Sequence, residues 1–103
     1  MSMILMQYKG PTEYRRQTFD FISQLKPAET ITSASVACTV WTGIDSSPQS
    51  MVSGSASISG TEVTQLIIGG VAGNIYRLNC TAITSLGQHL VLTGYLPVVE
   101  QPL

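Results

Sequence analysis

Between residues 61 and 95, TEVTQLIIGGVAGNIYRLNCTAITSLGQHLVLTGY, three apolar runs alternate with two short breaks that carry glycine. That spacing reads as a three-stranded β-meander, with one strand closing at 66–68, a second over 75–84 and a third over 88–95. Tight turns call for positive φ, which residues with a Cβ tolerate poorly. Gly69, Gly70 and Gly73 mark the first break and Gly87 the second. In this reading Val63 and Ile67, then Tyr76, Leu78 and Cys80, then Leu90 and Leu92 build the core.

The rest of the chain carries weaker versions of the same period. In residues 12–25, Phe19 and Phe21 flank Asp20, the two-residue alternation of a strand with one buried face. A helix over 13–24 competes, because Arg15, Gln17 and Gln24 are good helix formers, but the Thr-Phe-Asp-Phe-Ile core favours a strand. Lys26-Pro27 breaks the run. Residues 30–42 put Val36, Cys38 and Val40 on one face and Ser35, Thr39 and Trp41 on the other. Trp41 is then either covered by a loop or open to a partner. Residues 43–50 are a loop by composition. Over 51–60 a serine-rich strand, with Val52, Ala56 and Ile58 on one side and Gly54 interrupting, has the character of an edge. Leu90, Leu92 and Leu96 alternate with His89, Val91, Thr93 and Tyr95, and residues 97–103 are expected to leave the sheet. Residues 1–7 are an apolar arm, either frayed or paired at an edge of its own domain, or docked on a neighbouring subunit. Leaving such side chains in water costs about 1.5–3 kcal/mol for each large one.

Seven short β-segments separated by turn signals predict an all-β, two-sheet antiparallel sandwich of immunoglobulin-like type with an N-terminal arm. The expected division is arm 1–10, sandwich 11–98 and tail 99–103. Cys38 and Cys80 fall on inward faces of the second and sixth strands of that scheme, where antibody domains place a disulfide. Yet no core Trp follows Cys38, and Leu78 stands two before Cys80 where a tyrosine corner would put Tyr. The pair reads as buried thiols, with a bridge as the alternative.

Only 11% of the 103 residues are charged, against about a quarter in an ordinary soluble domain. A surface of hydroxyls and amides with few charges suits a protein that is assembled with others. Net charge is −1, and of the five cations (Lys9, Arg15, Arg16, Lys26, Arg77) only Arg15 and Arg16 adjoin, so no footprint for nucleic acid is present. No run approaches the roughly 20 apolar residues of a membrane span, and the N-terminus lacks the pattern of a signal peptide. Folding in a cytoplasm, with reduced thiols, is the expectation. One His and two distant Cys offer no metal set. Glu13, Asp20, Glu29, Asp45, Glu62 and Glu100 are dispersed, so no acid–base pair is implied. The glycines at 69, 70 and 73 lack the Lys-Ser/Thr ending of a phosphate loop and precede a strand. No catalytic residue, metal or cofactor is predicted.

Two segments resemble a family of small bacteriophage proteins, fibre–tail adaptors or Ig-like virion proteins. Residues 9–25, KGPTEYRRQTFDFISQL, are similar to its opening: a Lys-x-Pro-x-Glu pattern (Lys9, Pro11, Glu13), then Thr-apolar-Asp-aromatic (Thr18, Phe19, Asp20, Phe21). The second landmark is VTQLIIGGVAGNIYRLNCTAITSLGQ. Gly10, Thr12 and Arg16 depart from positions expected to be acidic, and Leu86 from an expected Asp, so the electrostatics of any contact made there differ. The resemblance implies a non-enzymatic structural protein of a tailed phage virion, assembled in the host cytoplasm. It would sit at the neck or tail, in several copies around a ring, and dock fibres or neighbouring virion proteins through its N-terminal segment and sheet edges. Met3, Ile4, Leu5, Lys9, Pro11, Glu13, Arg15, Arg16 and Trp41 are the expected contact residues. A carbohydrate- or receptor-binding module, with Trp41, Tyr95 and His89 as a stacking patch, is the alternative.

Overall fold

A computed structural model describes residues 3–6 and 8–100, with the backbone alone for Met3, Ile4 and Leu5. Seven strands follow in order: β1 (Met3–Leu5), β2 (Arg15–Asp20), β3 (Ile31–Thr42), β4 (Val52–Ser59), β5 (Glu62–Ile67), β6 (Ile75–Thr84) and β7 (His89–Pro97). They form a four-stranded sheet, β1-β7-β6-β3, and a three-stranded sheet, β2-β5-β4. All pairings are antiparallel except that of β1 with β7. Setting β1 aside, β2-β5-β4 and β3-β6-β7 reproduce the BED and CFG grouping of an immunoglobulin sandwich. The all-β, Ig-like two-sheet expectation is met.

Alternation of apolar and polar residues explains which faces close on one another. Phe19, Val63 and Ile67 from the smaller sheet meet Val36, Cys38, Tyr76, Leu78, Cys80, Ala82, Leu92 and Leu96 from the larger in one buried cluster. Each Val, Leu, Ile or Phe side chain among them contributes about 1.5–3 kcal/mol of transfer free energy. Phe21, one residue past β2, is also fully buried, because its amide donates to Thr61 O at 2.9 Å and continues the ladder. Leu90 is partly buried against this core, and Ile58 is exposed, since β4 is an edge strand whose register skips between Ser53 and Ser57.

Several expectations need correction. Cys38 and Cys80 lie on adjacent strands of the same sheet, where Val36 faces Cys80 and Cys38 faces Leu78. Once β1 is counted Cys38 is on the third strand, so the pair does not occupy the inter-sheet disulfide position; both thiols are free and buried. Residues 97–99 do not leave the sheet. Pro97 closes β7, Val98 is fully buried, and Val99 N–H donates to Lys9 O at 2.9 Å. The loop at 43–50 ends in a 3-10 turn, Pro48–Met51, which drops Met51 into the core. Gly70 is what lets Met51 and Val98 approach the β5–β6 loop, since a Cβ there would overlap both side chains at a φ of +99°. The N-terminal segment runs along β7 of its own domain: Met6 N–H donates to Tyr95 O at 2.8 Å and Lys9 N–H to Pro97 O at 3.0 Å. Of the alternatives for the arm, this is the edge pairing. Residues 1, 2 and 7 of the expected arm and 101–103 of the expected tail lie outside the described residues.

Burial pushes both thiols up to about 12, Cys38 with a further push from the Asp45 charge. A thiol-specific reagent at pH 8 is therefore expected to titrate neither cysteine in the native protein and both after denaturation. A native stoichiometry above zero on the folding timescale would place at least one sulfur at the surface.

Candidate interaction surface

The Lys-x-Pro-x-Glu segment folds into a clasp. Lys9 is fully buried, and its ammonium donates to Gly10 O at 2.7 Å and to Gly69 O at 2.6 Å in the β5–β6 loop. Burial lowers its pKa, Glu13 works against that shift and Arg15 adds to it. Glu13 N–H donates to Gly10 O at 3.2 Å while Gly10 N–H donates to Glu13 Oε1 at 2.7 Å, a reciprocal pair that closes the turn around Pro11. Arg15 Nη2 reaches Glu13 Oε2 at 3.3 Å. Lys9 thus faces inward and not toward a partner. Glu13 and Arg15 hold each other half-buried, Pro11 is half-buried, and Arg16 is exposed on the outer face of β2.

Beside the clasp, Tyr76 performs the task of a tyrosine corner, four residues before Cys80 where sequence spacing had pointed to Leu78. Its hydroxyl accepts from Val71 N–H at 2.9 Å and from Asn74 Nδ2 at 3.2 Å, and donates to Asp45 Oδ2 at 2.7 Å. Asn74 Nδ2 also donates to Ile44 O at 3.0 Å, in the space left by the missing side chain of Gly43. The loop after β3 and the loop before β6 are locked together through one phenol.

Outside this locked end, two kinds of surface are open. Trp41 is 56% exposed, so no loop covers it. Its ring meets Tyr95 edge-on, with centroids 5.0 Å apart and an interplanar angle of 61°. His89 lies six residues from Tyr95 along β7, about 20 Å away at strand rise, and does not join them. The expected sugar-stacking trio is therefore broken. The second surface is the gap between two edge strands, β3 and β4, a cleft of about 270 Å³ lined by Ala34, Val36, Val52, Gly54, Ala56 and others. Gln49 shows how this edge is read: its side-chain amide accepts from Cys38 N–H at 2.8 Å and donates to Val36 O at 3.2 Å, as a neighbouring strand would. Sequence reasoning missed the cleft, because nothing local tells Gln49 from an ordinary loop residue. Among the described residues no cluster of His, Cys, Asp and Glu could hold a metal.

These features define a small Ig-like sandwich with a bare sheet edge, a cleft beside it and an exposed aromatic pair. The chain belongs to a family of podophage fibre–tail adaptors: the profile described as "Podophage GP4 fiber-tail adaptor protein gp77" matches residues 9–97. No curated protein matches the chain. The matched span begins and ends on two residues bonded to each other, Lys9 N–H to Pro97 O, so it coincides with the unit that the clasp closes. Membership makes the chain a structural adaptor of a phage virion.

Three carboxylates titrate below their ordinary range. Glu13 does so mainly through the Gly10 amide, Glu29 through the Lys26 amide and the Thr84 hydroxyl, and Asp45 through the Ser47 amide and the Tyr76 hydroxyl. A carboxyl whose pKa is lower folded than unfolded contributes stability that is complete above its unfolded value and lost as pH falls through its folded value. Thermal stability is therefore expected to decline as pH drops below 4.5, the ordinary Glu value, and to decline less steeply in Glu13→Gln. Equal acid slopes for both proteins would remove Glu13 from the clasp.

Proposed function

We propose that this chain is a non-enzymatic adaptor, present in several copies at the neck or tail of the virion, that docks fibres or neighbouring virion proteins through its open sheet edges. One observation carries the reading: β3, twelve residues long at the end of its sheet, has no charged residue, and neither does β4 across the cleft. Exposed edges in monomeric proteins are usually guarded by Lys, Pro or a covering element. Here the guard is one Gln side chain covering a single repeat, and beyond it, at Ala34, the edge opens into the cleft. An extended segment of a partner adds there through backbone hydrogen bonds, and small residues such as Gly54, Ser55 and Ala56 leave room for its side chains. The N-terminal segment contributes on a second front, with Tyr14 at 71% exposure and Arg16 beside it. Reduced buried thiols suit assembly in the host cytoplasm.

Phage carrying Ser35→Lys or Ser55→Lys provide the test. Both substitutions place an ammonium at an exposed position lining the cleft, outside the core cluster. The isolated variants are expected to melt near the wild type, while purified particles lose the adaptor or the fibres it holds. Particles with wild-type content of both would exclude the β3–β4 edge as the docking site.

A further inference from the structure

The two outward faces of the sandwich carry unlike charge at opposite ends. β3, β6 and β7 contain no Asp or Glu, and Arg77 is the one formally charged residue on them. Arg77 stands in a cross-strand row between Thr39 and Tyr95, with the Trp41–Tyr95 contact at the same end of the sheet. Its Nε is buried and has no hydrogen-bond partner among the described residues. Trp, Tyr and Arg in one patch, with Trp41 exposed and Arg77 and Tyr95 half-buried, is the composition of an interface hot spot. On the other sheet, Asp20 and Glu62 face each other directly across β2 and β5, both exposed. Like charges placed so destabilise a sheet unless a cation lies near, and neither is in an ion pair among the described residues. Asp20 Oδ1 takes the Ile22 amide and the Thr61 hydroxyl, which fixes the carboxylate without neutralising it.

Within one chain these patches cannot meet, because they sit on opposite sheets and at opposite ends. Between two chains they complement each other. We propose that the Trp41–Arg77–Tyr95 patch of one copy receives the Asp20–Glu62 end of a second copy. Such a contact is heterologous: each copy offers both halves, so it repeats from copy to copy and closes into a ring or continues, unlike an isologous pair. This deepens the multi-copy part of the proposed function but does not depend on which fibre or tail protein is docked. The cleft and the β3 edge are not used by it and stay free for another partner.

Sedimentation of the isolated chain separates the possibilities. The wild type is expected to rise above its monomer mass of 11.0 kDa with increasing concentration up to about 200 µM, and less so at high salt. Arg77→Glu alone, and Asp20→Lys/Glu62→Lys alone, are each expected to weaken association by at least about tenfold. Mixing the two variants should restore it, since each then presents to the other the charge it has lost. Should Arg77→Glu fail to fold, Trp41→Ser, at a position more than half exposed, must weaken association in its place. A wild type that stays monomeric throughout, variants that associate like the wild type, or folded variants that do not recover on mixing would each overturn the proposal. None of these outcomes bears on fibre docking through β3, which is read on particles.

Discussion

A single ammonium group, Lys9 Nζ, sits where three segments of backbone converge, and the closed end of the sandwich is arranged around it. Its donors satisfy Gly10 O and Gly69 O, while the Lys9 backbone bridges Pro97 and Val99 on the far side. The N-terminal segment, the β5–β6 loop and the end of β7 are thereby tied to one residue. Burying a cation is costly, and its pKa is driven down accordingly. Two carbonyl acceptors, with Glu13 nearby, offset that cost, and no apolar side chain could satisfy those carbonyls. The reciprocal Gly10–Glu13 turn then fixes the direction in which β2 enters the second sheet.

Much of the architecture was legible because burial in a strand has period two and is written locally. Phe19 and Phe21, Val36 and Cys38, and Tyr76, Leu78 and Cys80 were placed on the core face from alternation alone, and β6 has the bounds that its apolar run suggested. What could not be read depends on contacts between distant segments. A lysine in a turn looks solvated until a loop sixty positions away closes over it. Tyr76 escaped notice because the tyrosine corner was sought at a fixed distance from a cysteine, whereas hydroxyl geometry, and not spacing, defines it. Met51 was read as the start of a strand and Val98 as part of the segment leaving the sheet, because burial there comes from packing on Gly70, with no periodic signal. Counting strands from the sequence also misplaced Cys38, which lies on β3, the neighbour of β6 in the same sheet.

The family landmark consequently changes its meaning. Lys9, Pro11 and Glu13 had looked like a contact motif, and the structure turns them into the fastening that makes residues 9–97 a closed unit. The contacts proposed above lie instead where the fold leaves backbone or aromatic surface without cover: the β3–β4 edge, the Trp41–Tyr95 pair and the polar outer face of β2. A low-charge, hydroxyl-rich chain has little means of repelling neighbours, which suits a component of a permanent assembly.

Amide hydrogen exchange and denaturant unfolding of Lys9→Met test the central claim most directly, since Met keeps the apolar stem and removes only the ammonium. The Gly69 carbonyl would be left without a donor and the Gly10 carbonyl with the Glu13 amide alone, and stability is expected to fall by about 1–3 kcal/mol. The largest loss of protection should appear at the amides of Gly73, Val98 and Val99, which bind the loop, the strand end and Lys9 together. A Lys9→Met protein with wild-type stability and wild-type protection at those amides, defective only in joining the virion, would show that Lys9 serves a partner and that the clasp is not what holds the domain closed.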